Sequence, residues 1–202
     1  MDYVIIDPEC FFGMVFSSIE VYNRETTGFI LGKKRRRMIQ GSMENVVTCE
    51  MAYPMQTASR KPTSVTKGNI RAFERIRASV PSLGLNLIGE YHSHPYMEAE
   101  LTKDDLEYIS ETMEQIYEYD GNLISDHWLE VVVAIRKRTY SSRRKVGWKW
   151  SDYKNKARCV VTINPYLGYD LTFGGYWVCL DDDKIKHTET TIYIPWEKGY
   201  WS

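Results

Sequence analysis

Two of the four histidines in this 202-residue chain fall within Glu90-Tyr91-His92-Ser93-His94-Pro95. On an extended segment successive side chains point to opposite faces, so His92 and His94 share one face. Pro95 biases His94 towards an extended backbone, which helps hold that geometry. Two imidazoles on one side form two-thirds of a catalytic zinc site, which takes three protein ligands and keeps a fourth position open. Thr102-Lys103-Asp104-Asp105 follows and opens a segment of helical periodicity. If Asp105 lies in the first turn, its carboxylate can point back at the strand end that presents the histidines. Asp104 would then point about 100° away, at about 3.6 residues per turn. A second reading is capping: Thr102 caps, and Asp105 favours the positive end of the helix. The two readings are compatible. His127, beside Trp128, and His187, among polar residues, have no partner at ligand spacing and read as structural or surface residues.

The elements that must position these groups are legible in outline. Asp7-Pro8 reads as an N-cap with proline at the first helical position, after a short apolar run at Tyr3–Ile6. The helix is expected to run to about Asn23, with Phe12, Val15, Phe16 and Ile19 on its apolar face. Gly28–Gly32 reads as a short buried strand running into Lys33-Lys34-Arg35-Arg36-Arg37, a solvated turn or strand end. A second strand pair is expected near Arg37–Gln40 and Val46–Tyr53. Ser64–Val80 carries Ile70, Phe73, Ile76 and Val80 at helical spacing and stops at Pro81. Leu85–Tyr91 reads as a strand, and Leu106, Ile109, Met113 and Ile116 as one helical stripe ending near Asp120-Gly121. Val131–Ile135 has the unbroken apolar character of a central strand. Three more strands are expected near Cys159–Ile163, Leu171–Leu180 and Thr188–Ile194. The fold class is therefore α/β: a mixed sheet flanked by helices over residues 1–136, with a β-rich C-terminal extension over 137–202 packed on the same domain.

Composition narrows the function classes. With 26 basic against 27 acidic residues, the chain is neither a uniformly basic nucleic-acid binder nor an acidic disordered tail. No apolar run approaches the roughly 18–20 residues of a membrane span, and acids near the N-terminus argue against a signal peptide. Cys10, Cys49, Cys159 and Cys179 form no CxxC, so a reduced, cytoplasmic setting is expected. Charge is nevertheless partitioned: residues 97–130 hold eleven acids and one lysine, and residues 136–158 hold ten bases and one acid. Tyr140, Trp148, Trp150 and Tyr153 lie among those bases. Such a mixture can bind single-stranded nucleic acid, form a solvated loop or dock a partner. Nucleic-acid binding is the weaker reading, because charge clustering alone carries it.

Gly89-Glu90-Tyr91-His92-Ser93-His94-Pro95, six residues, Thr102, two residues and Asp105 resemble the JAMM motif of the MPN metalloproteases. Glu25-Thr26-Thr27-Gly28-Phe29-Ile30-Leu31-Gly32 is similar to the family's upstream segment, a glutamate shortly before a glycine-bounded hydrophobic strand. The resemblance covers about residues 1–136. It departs from the pattern twice: Thr102 stands for the usual serine, and Glu90 for the tryptophan of proteasome-lid members, which points to the stand-alone prokaryotic type. The resemblance implies an MPN domain of cytidine-deaminase-like fold, with one Zn2+ held by His92, His94 and Asp105. It makes Glu25 the catalytic acid–base and Thr102 the oxyanion donor. The implied activity is hydrolysis of the isopeptide or peptide bond after the C-terminal glycine of ubiquitin or a ubiquitin-like protein and its conjugates. Such a tail could add as a strand at an exposed sheet edge near the metal, where glycines permit close approach. Histidines must be neutral to ligate, so activity should fall below about pH 6. A non-catalytic MPN scaffold or binding module, and a metallopeptidase acting on another small peptide, are the competing expectations.

Overall fold

Asp7 and Pro8 start the first helix as their residue types demand, immediately after the first strand. The computed structural model describes residues 3–39, 41–55, 59–60, 65–66, 70–120, 127–153, 156–181 and 184–194. Strand β1 (Tyr3–Ile6) leads into helix α1 (Pro8–Glu20) with proline in its first turn and an extended Asp7 before it. The hairpin β2 (Thr27–Ile39) and β3 (Ser42–Pro54) follows, then the short pair β4 (Ser59–Arg60) and β5 (Val65–Thr66). Helix α2 (Ile70–Ser79) passes through a 3-10 turn, Val80–Leu83, into β6 (Asn86–Pro95). Helix α3 (Lys103–Asp120) and strand β7 (Trp128–Thr139) come next. The chain finishes with β8 (Gly147–Tyr153), β9 (Lys156–Asn164), β10 (Leu167–Asp181), β11 (Lys184–Thr190) and β12 (Ile192–Tyr193).

Strand order is β12-β1-β3-β2-β6-β7-β10-β9-β8, with β11 also paired to β10. The β1–β3, β1–β12 and β6–β7 pairs are parallel and the other neighbours in this sheet antiparallel. Because β12 joins β1 while β11 joins β10, the sheet curls around α1. Phe11, Met14 and Val15 of α1 are fully buried against Ile30, Tyr91, Val131, Val133 and Phe173. Each large side chain so buried contributes about 1.5–3 kcal/mol of transfer free energy. On the opposite face, Phe29 and Leu31 pack with Val80 and Leu85, and Ile109 and Met113 of α3 pack on Trp128, Val132 and Tyr176. This is a mixed α/β architecture in which strands predominate. No helix of the described residues is long and apolar enough to cross a membrane.

Several boundaries differ from expectation. The first helix stops at Glu20, not near Asn23. Its buried face is also turned: Cys10, Phe11, Met14, Val15, Ser17 and Ser18 are inside, whereas Phe16 is 58% exposed. Polar residues can be inside because Ser17 and Ser18 both donate to the Met14 carbonyl, and Ser17 also bonds the Tyr91 hydroxyl at 2.9 Å. The five consecutive bases from Lys33 do not end the strand; β2 carries them as one long arm paired to β3, where Arg35 meets Glu50 at 2.6 Å. Asn86–Pro95 replaces the expected strand Leu85–Tyr91, so the histidines lie within a strand rather than after one. The start of the helix expected from Ser64, and the side chains of Phe73 and Ile116, lie outside the described residues.

The basic and aromatic segment 136–158 is largely sheet. Strand alternation sorts it: Trp148 and Trp150 turn towards α1, with ring centroids 6.3 and 5.0 Å from that of Phe11. The bulky aromatics therefore extend the core that contains α1. A strand glycine matters at one crossing in particular. A Cβ on Gly28 would come within 2.6 Å of the Tyr91 ring, so only glycine lets β2 pass over that buried side chain.

Candidate metal centre

Strand β6 places Glu90, His92 and His94 on one face, as period-two alternation requires. The Nε2 atoms of His92 and His94 converge to 3.1 Å. Each ring is held from behind at Nδ1. His92 Nδ1 lies 2.7 Å from Oε1 of Glu130, on the parallel neighbour β7, and His94 Nδ1 lies 3.1 Å from the Glu98 carbonyl oxygen. A carbonyl can only accept, so His94 carries its proton on Nδ1 and turns the Nε2 lone pair inward. The carboxylate of Glu130 imposes the same tautomer on a neutral His92.

Asp105 enters from the first turn of α3. Its Oδ1 is 3.4 Å from His92 Nε2, and its Oδ2 is 3.3 Å from His94 Nε2. Thr102 and Asp105 also satisfy each other as a capping pair. The Thr102 backbone N–H and hydroxyl both donate to Asp105 Oδ2 at 2.7 Å, and the Asp105 N–H donates to Thr102 Oγ1 at 3.2 Å. Both sequence readings of this stretch therefore hold together: the cap that starts the helix also aims the carboxylate. Asp104, one residue earlier, is exposed.

Glu25 sits in the connection before β2, with the following residue pinned to β6. The Thr26 N–H donates to Ser93 Oγ at 2.9 Å, and the Ser93 N–H donates to the Thr26 carbonyl at 2.8 Å. Ser93 is the residue between the histidines and points to the other side of the strand, fully buried. Glu25 is only 5% exposed and lines one cavity of about 530 Å³ with His92, His94, Thr102, Asp105 and Glu130. Burial pushes its carboxyl up to about 7, opposed by His92 and His94 and reinforced by Asp105. For His92, burial opposes the charged ring, but Asp105 and Glu130 outweigh it and raise the imidazole to about 10. Asp105 is pulled in the other direction: burial would raise it, and the two histidines hold it far below the usual carboxylate range.

The structure thus brings Glu25, His92, His94, Thr102 and Asp105 to one cavity. Among the described residues, His92, His94 and Asp105 form a group whose ligand atoms lie within 4.8 Å of one another. Two imidazole nitrogens and one carboxylate suit a divalent transition metal. Both Nδ1 atoms are already engaged and both Nε2 atoms face the Asp105 carboxylate, so a cation that displaces the His92 Nε2 proton would meet three inward donors. His127 and His187 are both exposed and outside this group, as expected. Glu130 and the Glu98 carbonyl were not anticipated. Glu130 stands in an apolar run, and its buried acid was the one available signal.

Strand β6 is interior, paired to β2 on one side and β7 on the other, so the histidines do not sit on a sheet edge. Just beyond them, Tyr96 takes a left-handed backbone with φ of 63°, a conformation uncommon outside glycine, and is 55% exposed. Beyond that turn Met97 lines the cavity and the Glu98 carbonyl returns to His94 Nδ1.

Comparison with known proteins bears on fold and family. A solved solution structure of a protein from Desulfitobacterium hafniense is similar over 97% of each chain, with a TM-score of 0.50 and 11% identity, a likeness of fold alone. The search among curated proteins gave no match. The family described as prokaryotic homologs of the JAB domain matches residues 14–146, a span containing Glu25, His92, His94, Thr102 and Asp105. The chain belongs to that family.

Proposed function

We propose that this protein is a zinc-dependent isopeptidase or peptidase that hydrolyses the bond after the C-terminal glycine of ubiquitin or a ubiquitin-like modifier. The observation that carries the reading is the convergence of His92, His94 and Asp105 beside a buried carboxyl, Glu25, in one cavity. Membership of a family that includes metallo-isopeptidases supports it. His92 Nε2, His94 Nε2 and the Asp105 carboxylate would hold the ion. When bound, the ion supplies Lewis acidity, lowering the pKa of water towards about 7 and polarising a carbonyl oxygen.

The chain's own groups do the rest. Glu130 and the Glu98 carbonyl keep both rings in the ligating tautomer. Glu25, buried beside the three ligands, would accept a proton from the attacking water and return it to the leaving amine. Thr102 first orients Asp105, because its hydroxyl proton is already committed to Oδ2. Donation to a developing oxyanion would require that proton to swing away from Asp105.

The deciding experiment incubates the purified, zinc-loaded chain with conjugates and C-terminally extended precursors of ubiquitin-like proteins. Expected is cleavage after the terminal glycine, abolished by chelator and by Glu25→Gln, with Glu25→Gln retaining stoichiometric zinc. Retained zinc with no cleavage of any modifier would sink the isopeptidase reading and leave a metal-binding scaffold.

A further inference from the structure

The sheet beyond His94 carries a row of bases on the same face as the metal-site side chains. Alternation sets the row: Ala134, Arg136 and Arg138 on β7 share a face with Glu130 and Val132, and register places Thr172 and Asp170 of β10 and Arg158 of β9 beside them. Arg138 and Arg158 both grip the buried Asp170, Arg158 Nε at 2.8 Å from Oδ1, and Arg136 meets Glu98 at 2.6 Å. These residues line a cavity of about 160 Å³ together with Met97. Met97 also lines the metal cavity, so the two adjoin. Arg138 is shared with a further cavity of about 710 Å³ that continues outward past Tyr140, Arg144, Lys145 and Lys149.

The track therefore starts at the metal cleft and carries Arg136, Arg138, Arg144, Lys145, Lys149 and Arg158 against the acids Asp170 and Glu98. Helix α1 lies on the opposite face, and α3 packs further along, on Trp128, Val132 and Tyr176. The Arg136 and Arg138 side chains are left 49% and 46% exposed. Guanidinium forks recognise carboxylates in pairs of hydrogen bonds. Nucleic acid would ask instead for a stack of exposed rings between the bases. Trp148 and Trp150, the rings interleaved with these bases in the sequence, pack towards Phe11 on the α1 face, with Trp148 also bordering the outer cavity, and Tyr140 has Arg144 over it at 5.8 Å.

We infer that an acidic stretch of the polypeptide substrate, outside the residues entering the cleft, docks along this track. The inference rests on the hydrolase reading above and names the substrate feature that reading leaves open. Asp170 holds Arg138 and Arg158 in place, and Arg144, Lys145 and Lys149 extend the positive field away from the cleft.

The test is fluorescence anisotropy of a labelled oligoglutamate peptide against the full chain, in chelator, with oligoglutamine and oligothymidylate as comparators. Oligoglutamate is expected to bind in a salt-sensitive manner and oligoglutamine not to bind. The double charge reversal Arg144→Glu with Lys149→Glu should weaken oligoglutamate binding about tenfold or more, because several like charges replace attractive ones across the contact. Lys145→Glu provides a second variant should the double reversal fail to fold, and Arg36→Glu with Arg37→Glu, on the far arm of β2, is the control of equal net-charge change. Absence of oligoglutamate binding, equal effects of the track and β2-arm variants, or tighter binding of oligothymidylate that displaces the peptide would each overturn the inference. Binding is read in chelator and hydrolysis on the zinc-loaded chain, so absent binding beside intact hydrolysis counts against the track alone, and binding beside absent hydrolysis counts against the hydrolase alone.

Discussion

His92 and Glu130 stand on neighbouring parallel strands and meet through Nδ1 and Oε1 at 2.7 Å, with both side chains nearly excluded from solvent. The contact orients the ring whose other nitrogen faces His94. Glu130→Gln keeps an acceptor and removes the charge. It should weaken zinc binding by about 10–100-fold while leaving the fold intact, the usual scale for losing a partner behind a ligating histidine. Competition titration against a zinc chelator, with circular dichroism as the control, measures it; unchanged affinity would show that Glu130 does not act on the site.

Glu25 gives a pH signature in the metal-free protein. Its folded value, about 7, lies above the ordinary 4.5. Below 4.5 the carboxyl is protonated folded and unfolded, and it contributes no difference. Between 4.5 and 7 unfolding releases a proton, so stability falls as pH rises, and above 7 the deficit is complete. Glu25→Gln mimics the protonated form. Melting in chelator should show Glu25→Gln more stable than wild type above pH 7, with the gap closing towards pH 4.5. A constant gap across that range would contradict the raised value.

Thr102 joins helix start and site. Thr102→Val removes the acceptor for the Asp105 N–H and the donor to Oδ2 together. Loss of such a cap costs about 0.5–2 kcal/mol, and zinc affinity should fall with it because only the Thr102 backbone N–H is left to aim Asp105. Thr102→Ser should restore both. Denaturant titration paired with metal titration reads the two effects, and recovery of stability without recovery of affinity would separate them.

Asp170 carries the opposite pH dependence. Burial would raise its carboxyl, but the hydrogen bonds from Arg158 and Arg138 outweigh that and lower it. A depressed carboxyl contributes stability above its unfolded value of about 3.9, and that contribution is lost as pH falls through the folded value. Asp170→Asn should cost about 1.5–3 kcal/mol at neutral pH, the range for hydrogen bonds to charged groups. The difference from wild type should shrink in acid, which chemical denaturation at pH 7 and pH 3 would check.

Much of the site could be read in the sequence because its geometry is local. Period-two alternation and Pro95 put His92 and His94 on one face, and a three-residue offset makes Thr102 and Asp105 a cap whatever surrounds them. The start of α1 at Pro8 and the central strand around Val131–Ile135 were legible for the same reason. Tertiary structure decided whatever depends on which strands become neighbours. Parallel pairing of β6 with β7 sets Glu130 behind His92, and the curl of the sheet around α1 buries Phe11 and Met14 while leaving Phe16 outside. The pairing of β8 with β9 likewise turns Trp148 and Trp150 into the core and leaves the bases on the other face. Local periodicity specifies how side chains point relative to their own backbone; strand order and register, which arise from contacts far apart in the chain, determine what they point at.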